Sequence, residues 1–360
     1  MKILHIQGAA QLAGCERTCE IFIRALPQAL HVVVVLGGDG DATKLWAAVG
    51  AEVRVIGTVP GRMSEYPLVA RTVKDARPDA VILWTPSRLG IKVAACHSAG
   101  VEKIVAHVGN PIRLSLRNAV AAEAYTLLPR GREATLIPVS RHVEQSYFGK
   151  SGFRHFCSHL VYNAIDIDKF RYEPQTELPA DVRVGMIARL DRIKDHATLL
   201  RAWRIVLQKR PDWHLEFAGD GPFRTVLEEL ADSLGISNRV SFLGWVADIP
   251  TVMRTWSIAV HATTQEEGLG NSMLEAMAIG RPLVATNVGP VAEVTDNGRV
   301  ARMTRMGDPE DLADQILDVE TNWTRTRAQV DSARAWTEQK FVPCRMVTEY
   351  MGCLGLEMPE

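Results

Sequence analysis

Residues 265–286, QEEGLGNSMLEAMAIGRPLVAT, carry the densest pattern in the chain. The apolar run IAVHAT before them reads as a strand. A glycine-rich loop follows, a helix starts near Asn271, and PLVAT reads as the next strand. This is the strand-loop-helix-strand unit from which parallel sheets covered by helices are built. Gly268 and Gly270 let the backbone approach a ligand closely. Free N–H groups at a helix start, together with the positive end of its dipole, bind phosphate. Glu267 in the loop and Glu275 on the helix are spaced E-x7-E, so two carboxylates can hold two different hydroxyl groups, such as those of a sugar and a ribose. Taken alone, the pair also fits a plain alternative: a solvated helix residue and a charge at a helix start.

The same alternation extends in both directions. Downstream of a polar stretch near Asp166, DIDKFRYEPQTELPADV, a series begins with VRVGMIARL and runs through WHLEFAG, VSFLGW and IAVHAT. Upstream, KILHI, HVVVVL, AEVRVIG, AVILWT and KIVAHV read as strands separated by helical patterns, and TLIPVS and HLVYNAI follow suit. Strands apolar nearly throughout are buried on both faces. The expected fold class is α/β, with two Rossmann-like domains facing a central cleft. Residues 1–165 form the first and 166–335 the second, the polar stretch acting as linker. Residues 336–360 hold a final helix marked by Met346, Val347, Tyr350, Met351 and Leu354, which either packs on the nearest domain or crosses back to the first. Ligands of such sheets bind beyond the carboxyl ends of the strands.

Composition narrows the class. Residues 1–160 hold 19 Lys+Arg against 12 Asp+Glu and the remainder 22 against 30, so the near-neutral total hides a basic first half. Either that half meets anions or an anionic membrane surface, or the charges are ordinary surface scatter. Nothing points to nucleic acid. The six cysteines form no CxxC pair and read as reduced thiols in a cytoplasmic protein. No apolar run approaches the roughly 20 residues of a membrane span. Leu12-Ala13-Gly14-Cys15 has the shape of a lipoprotein cleavage box, but His5, Gln7 and Gln11 interrupt the apolar stretch that a signal peptide needs. The better expectation is a loop between the first strand and the first helix.

A second motif is VGMIARLDRIKDHATLLRAW. Arg189 follows a strand and Lys194 comes just before a helix that Asp195 can cap. Two cations at such a turn suit a diphosphate, or are two surface charges in a polar loop. With PVSRHVEQSYFGKSGF, VYNAIDIDKF, HLEFAGDGP, VSFLGWV and GDPEDLADQI in this order, the chain resembles the retaining GT-B-fold glycosyltransferases of glycosyltransferase family 4, most strongly from about residue 138 to residue 320.

The resemblance implies roles for individual residues. Arg189 and Lys194 would neutralise the donor diphosphate, Glu275 would hold the ribose, and Glu267 the donor sugar. Backbone amides of Gly268, Leu269, Gly270 and Asn271 would meet sugar and phosphate, and main chain around Trp245 and Val246 the base. Gly14 would approach the donor phosphate, with Arg17 behind it, and His107 would lie near the donor sugar. LAGCERT departs from the family's GGAER, and Asn271-Ser272 stand where many members carry an apolar residue and a proline. Catalysis would rest on His107, Glu267, Arg189 and Lys194, with no metal ion and no cofactor beyond the donor itself, a UDP- or GDP-sugar in the first place. Asp39-Gly40-Asp41 and Asp166-Ile167-Asp168 read as turns rather than metal pairs.

The acceptor would be a glycan, a lipid-linked sugar or a small molecule, bound by the first domain. Arg113, Arg117, Arg130 and Arg132 among apolar residues read as an interfacial helix touching the inner membrane face, or as an ordinary amphipathic helix on the sheet. Bacterial polysaccharide or glycolipid synthesis is the first expected role. Small-molecule glycosylation, a non-catalytic nucleotide-sugar-binding protein and an epimerase of the same fold are the alternatives.

Overall fold

A computed structural model describes residues 1–11, 13–57, 65–112, 134–148, 157–265 and 267–358. The segment holding Arg113, Arg117, Arg130 and Arg132 lies outside the described residues. The chain divides into two units, Met1–Ala164 with Pro343–Glu360, and Ile165–Val342.

The first unit runs β1 (Lys2–Gln7), α1 (Gly14–Ala25), β2 (Leu30–Val35), α2 (Asp41–Ala48), β3 (Glu52–Val55), α3 (Glu65–Ala76), β4 (Ala80–Leu83), α4 (Leu89–Ser98), β5 (Ile104–Val108), β6 (Thr135–Pro138) and α5 (Arg141–Phe148). The strands form a parallel sheet in the order β3-β2-β1-β4-β5-β6. β4 and β5 are buried at every residue, as their unbroken apolar runs require. HLVYNAI does not form the further strand expected of it. Leu136 makes one parallel bridge to Ser158, and the Val161 N–H reaches the Pro138 carbonyl at 3.1 Å. Pro138 has no N–H with which to return the next bond, so the ladder stops there.

A buried polar chain runs through this core. Trp84 Nε1–H donates to His5 Nδ1 at 3.0 Å. The other nitrogen of His5, Nε2, must then carry its proton and donate to His31 Nδ1 at 2.9 Å. His31 Nε2–H in turn donates to the Leu26 carbonyl at 2.8 Å. Both rings are therefore neutral, and burial holds both pKa values below the ordinary histidine range.

The second unit runs β7 (Arg183–Ile187), α6 (His196–Lys209), β8 (His214–Ala218), α7 (Arg224–Ser233), β9 (Val240–Gly244), α8 (Ile249–Thr255), β10 (Ile258–His261), α9 (Asn271–Ile279), β11 (Leu283–Thr286), α10 (Val291–Val294), β12 (Arg302–Thr304), α11 (Pro309–Thr321) and α12 (Trp323–Lys340). Its parallel sheet has the order β12-β11-β10-β7-β8-β9, the same doubly wound arrangement as the first. The second unit begins at Ile165 and ends at Val342. The polar stretch after Asp166 is fixed to this unit: the Glu173 N–H bonds to the Ile279 carbonyl at 3.1 Å, and Arg281 donates to the carbonyls of Glu173, Gly280, Met253 and Arg254. The boundary expected at 335 falls inside α12, which continues to Lys340. A final helix, α13 (Pro343–Cys353), belongs to the first unit, and Met346, Val347, Tyr350, Met351 and Leu354 are buried in its core with Phe22 and Trp84.

Gly185, in the middle of β7, lies under the indole of the fully buried Trp256. A Cβ there would come within 1.9 Å of the ring, which is anchored by Nε1–H to Glu216 Oε2 at 2.8 Å. Gly185→Ala should therefore cost about 3 kcal/mol of stability by overpacking. Urea unfolding of both chains would check this, and an unchanged midpoint would show that the indole can move aside.

Candidate functional site

In the second sheet, β7 and β10 are neighbours although two strands separate them in sequence, so the loops leaving their carboxyl ends diverge at the switch point of the winding. The loops are stitched together. Lys194 makes an antiparallel bridge to Thr263, the Asp195 N–H donates to the Ala262 carbonyl at 3.1 Å, and the Thr264 N–H to the Ile193 carbonyl at 2.8 Å. Asp191 Oδ1 turns the first loop by accepting the Ile193 N–H at 2.9 Å, and Asp195 caps α6 through the Thr198 N–H at 3.2 Å. These restraints bring Lys194 Nζ to 2.5 Å from Glu267 Oε2, across 73 residues of sequence.

The charges at this point are arranged asymmetrically. Burial alone pushes the Glu267 carboxyl up, but the neighbouring His261 and Lys194 outweigh it and the net shift is downward. Burial holds His261 at about pKa 4, so its ring is neutral at pH 7 and Lys194 is the standing counter-charge of Glu267. His261 Nδ1 meets Ser272 Oγ at 3.1 Å, while its Nε2 lies 3.9 Å from Glu267 Oε1, too far for a hydrogen bond. That carboxylate oxygen is buried and has no hydrogen-bond partner among the described residues. His261 and its tie to Ser272 were not legible as site features: the residue reads simply as the end of the strand IAVHAT. A polar ring closing an apolar strand next to Thr263 and Thr264 was the available signal.

Beyond Glu267 the chain turns through Gly270, whose φ of +83° is the left-handed region that favours glycine. Aspartates cap α6, α8 and α11, whereas no side chain caps α9, and its first turn follows the Gly268, Leu269, Gly270 and Asn271 loop directly. Glu275 stands in the second turn of α9 and is buried. Arg189, on the same loop as Lys194, is mostly exposed and lies 3.6 Å from Asp191. Trp245 and Val246 follow β9 at the same edge of the sheet, with the Trp245 indole exposed. This edge can therefore offer cations, a carboxylate and the positive end of a helix to an anionic, hydroxyl-rich ligand.

Gly14 and His107 belong to the first unit. Gly14 is the first residue of α1, where Ala13 provides no side-chain cap, and Cys15 Sγ–H donates to the Trp84 carbonyl at 3.0 Å. His107 is the last residue but one of β5, its ring is buried, and burial lowers its pKa to about 4. Of the two Asp-x-Asp stretches, Asp39-Gly40-Asp41 leads into α2, with Asp39 accepting the Gly40 N–H and the Thr43 hydroxyl, while Asp166 accepts the N–H groups of Asp168 and Lys169.

Residues 181–322 match the family model of the glycosyl transferases group 1. This part of the chain is a group 1 glycosyltransferase domain. The lipopolysaccharide core biosynthesis glycosyltransferase LpsE of Rhizobium meliloti (strain 1021) is 36% identical over 154 residues, 42% of this chain and 44% of that protein. The N-acetyl-alpha-D-glucosaminyl L-malate synthase of Bacillus anthracis is 25% identical over 197 residues, 53% of this chain and 51% of that one. The matches thus span about half the length of these curated relatives. The fold as a whole is that of the GT-B glycosyltransferases. Anabaena HepE, solved in complex with UDP, superposes with a TM-score of 0.85 at 23% identity over 99% of this chain and 100% of its own. No helix among the described residues is long and apolar enough to cross a membrane.

Proposed function

We propose that this group 1 glycosyltransferase moves a sugar from a nucleoside-diphosphate donor to an acceptor hydroxyl, with retention of anomeric configuration and without a metal ion. The observation that carries the reading is the Lys194–Glu267 pair, at the carboxyl edge of the parallel sheet beside the uncapped start of α9. Lys194, Arg189 and the amides of Gly268 to Asn271 take the diphosphate, Glu267 the sugar and Glu275 the ribose. Main chain at Val246 takes the base, and the first unit offers Gly14 and His107 to substrate. As the C1–O bond to phosphate breaks, negative charge grows on the diphosphate and the two cations stabilise it. The acceptor oxygen forms the new bond on the same face, and its proton passes to the leaving phosphate oxygen.

HepE was solved with UDP and with UDP-glucose, which favours a UDP-sugar as donor. The relationship to LpsE favours a polysaccharide or glycolipid product. A small acceptor is the second reading, favoured by the likeness to the L-malate synthase.

Thermal unfolding with UDP, GDP, ADP and CMP, each with and without magnesium, tests the reading. One nucleotide should raise the melting temperature equally in both conditions, by about 2.7 kcal/mol of added stability at a hundredfold excess over Kd. A shift that needs magnesium would remove the metal-free mechanism, and no shift with any of the four would overturn the donor site.

A further inference from the structure

His107 and Tyr350 are 243 residues apart in sequence, yet His107 Nδ1 lies 2.8 Å from the Tyr350 hydroxyl. The imidazole packs against Trp84, with ring centroids 5.0 Å apart. The phenol is wedged between Trp84 at 5.9 Å and Phe22 at 5.4 Å. Tyr350 is buried, and burial pushes its hydroxyl well above the ordinary phenol range, so it keeps its proton. A buried hydroxyl must donate that proton to an acceptor. Among the described residues the acceptor it meets is His107 Nδ1. An imidazole whose Nδ1 accepts carries its own proton on Nε2. No described residue hydrogen-bonds to that Nε2. A Cβ on Gly109 would sit 3.0 Å from it, so a residue without a side chain is what fits against this edge of the ring. His107 is the last residue but one of β5, near the carboxyl end of the first sheet, where such folds take their ligands.

We infer that Tyr350 is the positioning residue for His107: its hydroxyl fixes the ring as the Nε2–H tautomer, so that a substrate oxygen is met by a neutral hydrogen-bond donor rather than by a base. The inference rests on the proposed role of His107 at the substrate. It also gives α13, the last helix, a part in the reaction that its apolar packing alone does not require.

Two measurements on the full chain test it. Long-range ¹H–¹⁵N spectra of histidine-labelled protein should show His107 as a single Nε2–H tautomer, and as a mixture in Tyr350→Phe, which keeps the ring and its packing. An Nδ1–H tautomer in the parent chain, or an unchanged spectrum in the variant, would overturn the inference. The second measurement is release of nucleoside diphosphate from UDP-glucose or GDP-mannose by Tyr350→Phe, His107→Ala and the double variant. Tyr350→Phe should lower kcat about tenfold, the equivalent of one lost hydrogen bond, with donor KM within about twofold. It should cost nothing further once His107 is alanine. Loss of the same size in that background, or full turnover by Tyr350→Phe beside an impaired His107→Ala, would sink Tyr350 alone. Full turnover by His107→Ala would sink the role of His107 and this inference with it. With both sugar nucleotides idle, the tautomer decides.

Discussion

Lys194→Ala should release nucleoside diphosphate from the donor at least 100-fold more slowly than the parent chain. A compact ammonium held at one place by the Lys194–Thr263 bridge needs no reorganisation when charge develops on the leaving group, and removing one such group costs about 10²–10³ in rate. The same change strips Glu267 of its standing counter-charge. A buried carboxylate left alone costs about 3–5 kcal/mol, so the variant should also melt earlier. Adding Glu267→Gln removes the stranded charge. The double variant should regain much of its melting temperature and none of its turnover, which separates the chemical loss from the structural one. Glu275→Ala should likewise lose transfer, chiefly through weaker donor binding. Parental turnover in Lys194→Ala would end the assignment of the site.

Stability should fall steeply between pH 7 and pH 5. His5, His31, His107, His196 and His261 all have pKa values lowered in the fold, chiefly by burial, and the last three lie at about 4. The unfolded chain takes up protons near pH 6.5, where these folded rings do not. Each ring therefore contributes stability that is present above about pH 6.5 and is lost as the pH falls toward its folded pKa. At pH 5 the loss is about 1–2 kcal/mol for each ring near pKa 4, a total comparable with the whole stability of many domains. Melting temperatures measured from pH 8 to pH 5 should drop by about 5 °C or more. His261→Gln and His5→Asn should each flatten the curve. A profile flat from pH 8 to pH 5 in the parent chain would mean that the rings are protonated within the fold.

The strands were legible because runs such as VVVV and AVIL have no polar face to expose, and the glycine-rich loop because the backbone turns at Gly270 where a side chain would be strained. Lys194 and Glu267 could be named but not paired, since it is the stitching of their two loops, by the bridge to Thr263 and the bonds beside it, that makes them neighbours. The chain from Trp84 through His5 to His31 was not legible at all. Isolated polar residues on apolar strands carry no periodic signal, and their partners are set by the order of strands in the sheet. The break between α12 and α13 was not legible, because the polar sequence of α12 shows little contrast between faces and nothing marks where the helix stops.

The placement of α13 in the first unit also sets an order of events during synthesis. The ribosome makes residues 1–164 first, yet the apolar face formed by Met346, Val347, Tyr350, Met351 and Leu354 arrives only after the whole second unit has emerged. Until then Phe22 and Trp84 lack part of their cover. The first unit is therefore begun before the second and completed after it, and its incomplete core is the surface that a chaperone, or another nascent chain, would meet.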